Sequence, residues 1–293
     1  MASAARRLAS NAPGDLFVDA SCIDCGTCRW VAPLTFDLHD GQSRVYRQPD
    51  PGALRVAALH ALVSCPTASI GTADRAATGR AVQDFPRPFA PDVLHCGFHA
   101  ADSFGAASWL ILRPEGNVLV DSPRFNAPLV RRIEALGGVR WMFLTHRDDI
   151  ADHAKFQAHF GCERIMHRAD GGRVGALERW IDGEVPVSLT PDLEILPTPG
   201  HTRGSACLLF RDEALFTGDT LAFSARLGHL IAFRDACWYR WDRLIESVEA
   251  LARRRFSWVL PGHGAPVHLE EPEMAASMAR CLAWMRGSAA GGW

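Results

Sequence analysis

Residues 139–153, reading V-R-W-M-F-L-T-H-R-D-D-I-A-D-H, constrain this chain more than any other stretch. Residues 139–144 form a mostly apolar run rich in strand formers, and after Thr145 come His146, Asp148, Asp149, Asp152 and His153. That switch reads as a buried strand delivering polar side chains at its C-terminal end. Imidazoles and carboxylates brought against an apolar core lose their water, at a cost of roughly several kcal/mol each unless something compensates. A metal ion is the natural compensation.

A single cluster does not close a metal site, and later residues supply the remainder. Pro199-Gly200-His201-Thr202-Arg203-Gly204-Ser205 follows the apolar run 193–196, and Phe216-Thr217-Gly218-Asp219-Thr220 follows 213–215. Residues 258–260 lead into Pro261-Gly262-His263-Gly264. Each is an apolar run, a glycine that lets backbone come close, and a ligand-type residue.

The motifs T-H-x-D-x-x-A-D-H, P-G-H-T-x-G-S, F-T-G-D-T and P-G-H-G, in this order, resemble the metal motifs of the metallo-β-lactamase superfamily, hydrolase branch, over roughly Pro91 to the C-terminus. The resemblance, and no periodicity in the sequence, implies an αβ/βα four-layer sandwich: two mixed sheets face to face with helices outside. Carried over by position, His146, Asp148 and His201 would hold one metal, Asp152, His153 and His263 the other, and Asp219 would bridge them. Asp152 and Asp219 would be the catalytic carboxylates. Asp121 falls where the superfamily places an aspartate that supports the ligand loop by hydrogen bonding. The usual first motif is H-x-H-x-D-H, whereas here Asp148 stands at the second His position and two residues intervene before Asp152-His153. Asp149 reads as a helix N-cap for residues 150–160. An Asp in place of a His makes the first site harder, which favours iron or manganese relative to zinc.

The N-terminal part carries a different chemistry. Cys22-Ile-Asp-Cys25-Gly-Thr-Cys28, with Cys65-Pro66 far downstream, resembles the signature of bacterial-type ferredoxins, in which one loop wraps three corners of a [4Fe-4S] cubane and a distant Cys-Pro supplies the fourth. The position that would begin a second cluster is Ala32-Pro33, so a single cluster is expected on Cys22, Cys25, Cys28 and Cys65. A structural zinc site would use the same four thiolates; the wide last spacing and the Cys-Pro favour the cluster.

These signals imply an α+β chain with a ferredoxin-like domain at 15–72, a stiff extended linker at 73–91 ending in F-P-R-P-F-A-P, and a metallo-β-lactamase fold domain at 92–287. Within the second domain, strands are expected at 107–112, 117–120 and 164–167, and helices at 127–136, 174–180, 241–254 and 270–286. Trp238 and Trp241 read as one packed helical face. The Gly/Ala tail and the first ten residues read as frayed. A formal charge of −2, from 31 basic and 33 acidic residues, offers no field that would recruit nucleic acid or a membrane surface. Nine cysteines without an apolar leader point to a reducing, cytoplasmic setting.

The motifs G-H-T-x-G-S and F-T-G-D-T-L are similar to the thioesterase (glyoxalase II-like) and lactonase branches. A metal-dependent hydrolase of a small ester or thioester, with zinc, iron or manganese, is therefore expected. Two alternatives remain open: an iron oxidoreductase, di-iron or mononuclear, fed by the cluster and a redox donor protein, or a cluster that is structural or recruits a partner. The cysteine spacing generates one test. Protein made with iron–sulfur assembly intact should be brown and hold about four irons and four sulfides on the N-terminal domain; a colourless, anaerobically prepared protein with one zinc on those thiolates would overturn the reading.

Overall fold

The structure, a computed structural model, describes residues 2–287. Its second domain is built from short strands whose side chains alternate between two cores. In Trp109–Ile111, Val118–Val120 and Trp141–Phe143, the outer residues of each triplet enter a central core while Leu110, Leu119 and Met142 face the other way. Period-two alternation with both faces apolar is what a sheet covered on both sides requires.

These strands belong to a seven-stranded sheet, from Arg87–Ala90 at one edge to Arg179–Ile181 at the other; the run from Val118–Val120 through Trp141–Phe143 and Glu163–His167 is parallel. A six-stranded sheet holds Leu193–Pro197, Ala206–Phe210, Ala214–Gly218 and Trp258–Pro261, and the last two pair in parallel. The inner faces meet through Trp109, Phe143, Phe210, Phe216 and their neighbours. Helices Ala127–Ala135 and His153–Phe160 cover the first sheet, and Trp241–Leu251 and Glu271–Gly287 the second. The result is the four-layer αβ/βα sandwich. Among the described residues no helix is long and apolar enough to cross a membrane.

The N-terminal domain closes around Leu16, Val18, Cys28, Phe36, Val45 and Ile70. Its helix Ala53–Ser64 sends Leu59 and Val63 into the outer core of the seven-stranded sheet, beside Phe85 and Phe98. Trp30 packs its ring 5.1 Å from His95 and 6.5 Å from Trp109. The two domains thus share apolar packing.

Four expectations need correction. Residues 73–91 are not an extended linker: Asp74 accepts from the Ala77 amide and caps the helix Arg75–Gln83, which buries Ala77 and Ala81, and Arg87–Ala90 is the sheet's edge strand. Alanine and arginine favour helix, and Ala77 and Ala81, four apart, supply the buried face. The first ten residues are not frayed over their described part, since the Ser3 amide donates to Asp19 and Leu8 packs on the domain core. Residues 174–180 hold no helix; a 3-10 turn at Arg168–Arg173 precedes the strand Arg179–Ile181. The helix expected from residue 150 begins at His153. The Gly/Ala tail lies outside the described residues, apart from Gly287.

The contact between domains can be tested at Gly105. Its φ is +87°, and a Cβ there would sit 2.8 Å from Cys25 Cβ and 2.9 Å from Cys25 Sγ. Gly105→Ala should cost about 2 kcal/mol in a denaturant titration and expose the cluster to earlier bleaching; unchanged stability and bleaching would show that this approach is not close.

Candidate active site

The polar residues that follow the strands converge at one end of the sandwich. Parallel pairing of Phe216 with Leu260 brings the next turns together, so Asp219 and His263 emerge side by side, with His263 Nδ1 2.8 Å from Asp219 Oδ1. His146 comes from the turn after Trp141–Phe143, and His201 from the loop after Leu193–Pro197; their rings meet edge to face at 4.6 Å. His146 Nε2 lies 3.9 Å from Asp148 Oδ2 and 3.8 Å from Asp219 Oδ2, and His201 Nε2 lies 3.6 Å from each of these oxygens. Ligands about 2.1 Å from a tetrahedral ion stand about 3.4 Å apart, so these spacings suit an ion at the centre.

Asp149 is part of this cluster, contrary to the helix-cap expectation. It is buried, with Oδ2 4.0 Å from His146 Nε2, and it groups with His146 and Asp219 as a potential metal-binding set. A Cβ on Gly262 would meet Asp149 Oδ2 at 2.5 Å, so only glycine lets the His263 turn pass so closely.

Asp152 and His153 are not in the cluster, a second correction. Asp152 Oδ2 accepts from the Phe125 amide at 2.7 Å and Oδ1 pairs with Lys155, while His153 Nδ1 lies 3.1 Å from Arg164, itself held by Glu178. The two residues inserted into the motif are used in a turn before the helix. That turn leaves Asp148 and Asp149 facing the ligands and carries Asp152 and His153 to the helix start.

The donor set suits a metal. His146 Nε2, Asp148 Oδ2, both Asp149 oxygens, both His201 nitrogens and His263 Nε2 are buried without a hydrogen-bond partner among the described residues. Buried polar atoms are normally paired, and a pocket that leaves so many ligand atoms bare is built for cations. Electrostatics agree. Burial pushes His146 down to about 4 against the pull of Asp219. Burial also opposes charge on His263, yet Asp219 and Asp149 outweigh it and raise its pKa to about 10. Burial, then Asp219, drives Asp149 well above the usual carboxylate range. Metal-free, the site therefore keeps protons that bound metal would displace.

Supporting contacts fix the ligands. Asp121 accepts from the Thr145 amide at 2.8 Å and from its hydroxyl, and that hydroxyl lies 3.0 Å from His146 Nδ1, so Asp121 supports the ligand loop rather than entering the cluster. Asp170, which the sequence reading missed, accepts from the Arg147 amide at 3.1 Å and the Gly204 amide at 2.8 Å, tying the His146 loop to the His201 loop. Its only sequence signal was a lone acid in a polar loop. His167 is structural, with Nε2 2.8 Å from the Gly183 carbonyl oxygen.

The ligands open into a cavity of about 850 Å³ whose walls include Phe104, Phe233, Trp238 and Arg147. Trp238 does not share a helical face with Trp241: it precedes the helix, lies 6.4 Å from the His201 ring and stays largely exposed, while Trp241 packs on Trp284. Asp24, Cys25, Gly26 and Arg29 of the N-terminal domain complete the wall. Behind them Cys22, Cys25, Cys28 and Cys65 line a small cavity with Val18 and Ile70, and the Ser69 amide donates to Cys65 Sγ at 3.2 Å. Burial pushes the Cys28 thiol up to about 12, a penalty on the thiolate that iron ligation would offset. Four thiols around one cavity, with an amide aimed at a sulfur, fit a cluster.

Residues 90–280 match the metallo-β-lactamase superfamily, and the chain belongs to that superfamily. Residues 18–72 match the 4Fe-4S single cluster domain of Ferredoxin I. Among curated relatives, the hydroxyacylglutathione hydrolase of Acidiphilium cryptum is 33% identical over 127 residues, 42% of this chain and 51% of that protein. That of a Polaromonas species is 40% identical over 89 residues, 29% of this chain and 34% of that protein. The chain thus spans about half or less of the length of these relatives. The DIM-1 metallo-β-lactamase matches in fold, with a TM-score of 0.53 at 13% identity over 69% of this chain and 97% of that one.

The corrected ligand set makes a direct test. Losing a supporting partner typically costs about 10–100-fold in metal affinity, so Asp149→Ala and Asp148→Ala should each cost at least as much, and Asp152→Ala should leave bound metal unchanged. Metal counted per chain after dialysis reads the outcome; depletion by Asp152→Ala alone would restore the positional carry-over.

Proposed function

We propose that this protein is a metal-dependent hydrolase of small esters or thioesters, similar in chemistry to glyoxalase II or to lactonases. The observation that carries the reading is the convergence of bare ligand atoms from Asp148, Asp149, His201 and His263 beside Asp219 on one cavity, with His146 buried against them. The hydroxyacylglutathione hydrolases, which the chain resembles over part of their length, support the thioester class. His146, Asp148 and His201 would hold one ion, Asp149 and His263 a second, with Asp219 between them. Bound there, divalent ions would polarise a substrate carbonyl and acidify a water.

The chain's own residues do the remainder. Asp121 and Thr145 hold the His146 ring, and Asp170 keeps the His201 loop against it. Phe104, Phe233 and Trp238 give the cavity apolar walls that take up an acyl or thiol group and exclude water. The test is cleavage of hydroxyacyl-glutathione thioesters by the holo protein. Activity should vanish with chelator, return with added metal, and fall about 10³-fold or more in His201→Ala, since Lewis-acid assistance contributes several kcal/mol. Metal-loaded protein that leaves thioesters, esters and lactones at the buffer rate would overturn the proposal.

A second reading, a metal-site oxidoreductase, rests on its own observation: Cys25 lines the same cavity as Asp219 and His263. Cys65→Ser separates the two. A hydrolase keeps the parent's rate once folding is controlled for, whereas in an oxidoreductase an external one-electron donor no longer reduces the metal site.

A further inference from the structure

We propose that the cluster-binding loop is a working wall of the substrate pocket, with Arg29 as its anion-binding residue, so that anion binding and one-electron reduction of the cluster oppose each other. This rests on the cluster reading of Cys22, Cys25, Cys28 and Cys65 and is independent of whether the enzyme hydrolyses esters.

Cys25 belongs to two cavities at once, the small one ringed by the four cysteines and the large one floored by the metal-ligand cluster. Arg29 stands on the large cavity and is held in place at one end only. Its Nη1 donates to Asp24 Oδ1 at 2.5 Å and to Ser43 Oγ at 2.7 Å. Nε and Nη2 make no hydrogen bond among the described residues, and the side chain is 25% exposed. Ser43 is itself buried and also faces the Cys28 thiol, so the guanidinium is one hydroxyl away from a cluster ligand. Arg147 also lines the cavity, and its buried Nε makes no hydrogen bond among the described residues, its nearest charge being Asp148 Oδ1 at 3.9 Å. Two guanidinium groups from different domains, with Phe104, Phe233 and Trp238 around them, define the ligand's chemistry: a small organic carboxylate with an apolar body.

Reduction places one further negative charge behind this wall. At an effective dielectric of about 20, a like charge at about 10 Å weakens an anion's binding on the order of tenfold. Linkage is reciprocal, so the bound anion lowers the cluster's reduction potential by the same factor; tenfold in a one-electron couple is about 59 mV. The electron comes from an external one-electron donor, and no bond is made or broken.

The experiment uses the holo protein with benzoate as probe and benzamide as its neutral counterpart. Calorimetry measures binding, and an EPR-monitored redox titration measures the midpoint potential. Saturating benzoate should lower the potential by about 59 mV for each tenfold preference for the oxidised form, and benzamide should not. Arg29→Gln should retain the cluster's EPR signal while losing both the shift and most of the benzoate affinity, and Arg29→Lys, which keeps the charge, should recover part of each. Absent benzoate binding, binding without a shift, or a shift that survives Arg29→Gln would each overturn the proposal. Iron and sulfide analysis showing no cluster would remove its premise, whereas failure to cleave thioesters would leave it standing.

Discussion

Seven imidazole and carboxylate atoms beneath the pocket are buried with no hydrogen-bond partner among the described residues. Unpaired polar atoms in a folded interior are costly, and the rest of the domain is arranged to hold them there. Parallel pairing sets the Asp219 and His263 turns against each other, glycine at 262 removes the side chain that would separate them, and Asp121 and Asp170 use their own hydrogen-bonding capacity on ligand loops rather than on solvent. The two sheets provide a rigid base, since Trp109, Phe143, Phe210 and Phe216 fill the space between them almost without exposure. A site of bare ligands needs such a base, because a flexible loop would turn its carboxylates back to water.

How much of this could be read in the sequence depended on how local each cause is. The ends of Leu193–Pro197, Ala214–Gly218 and Trp258–Pro261 were legible, because an apolar run followed by glycine and a ligand-type residue is a local pattern. The assignment within D-D-I-A-D-H was not. Asp149 and Asp152 have the same chemistry, and which of them faces His146 depends on a turn whose path is set by Phe125 and Lys155, contacts made outside the motif. The segment 73–91 misled for another reason. Prolines near its end suggested stiffness throughout, while the preceding alanines, buried against neighbouring helices, decided a helix. Trp238 could not be placed from its spacing to Trp241, because the helix begins only at Trp241.

The position of the N-terminal domain is a tertiary fact with no signature of its own. Leu59 and Val63 read as ordinary helix-core residues, and nothing in their spacing says that part of their core belongs to the next domain. At the far side of the same contact, Thr27 Oγ1 lies 3.2 Å from both His99 Nδ1 and the Gly105 carbonyl oxygen, and His99 Nε2 lies 2.8 Å from His95 Nε2. Burial holds both imidazoles below their ordinary pKa, so the pair packs as neutral rings against Trp30. Apolar contact on one side and a buried polar chain on the other fix the orientation in which Cys25 meets the pocket.

Charge balance then constrains what the pocket can hold. Replacing Asp152 and His153 by Asp149 keeps three carboxylates, with Asp148 and Asp219, but leaves three imidazoles, His146, His201 and His263, where the motif carry-over implied four. The set is harder than the family's usual one, which shifts preference toward oxygen-loving ions. One divalent ion would leave surplus negative charge in a buried space; two leave a small positive excess that a substrate carbonyl or a carboxylate can meet. Without metal the same balance is struck with protons, on His263 and on Asp149, whose pKa values both lie above their ordinary range. Protons and metal ions therefore compete for one set of atoms.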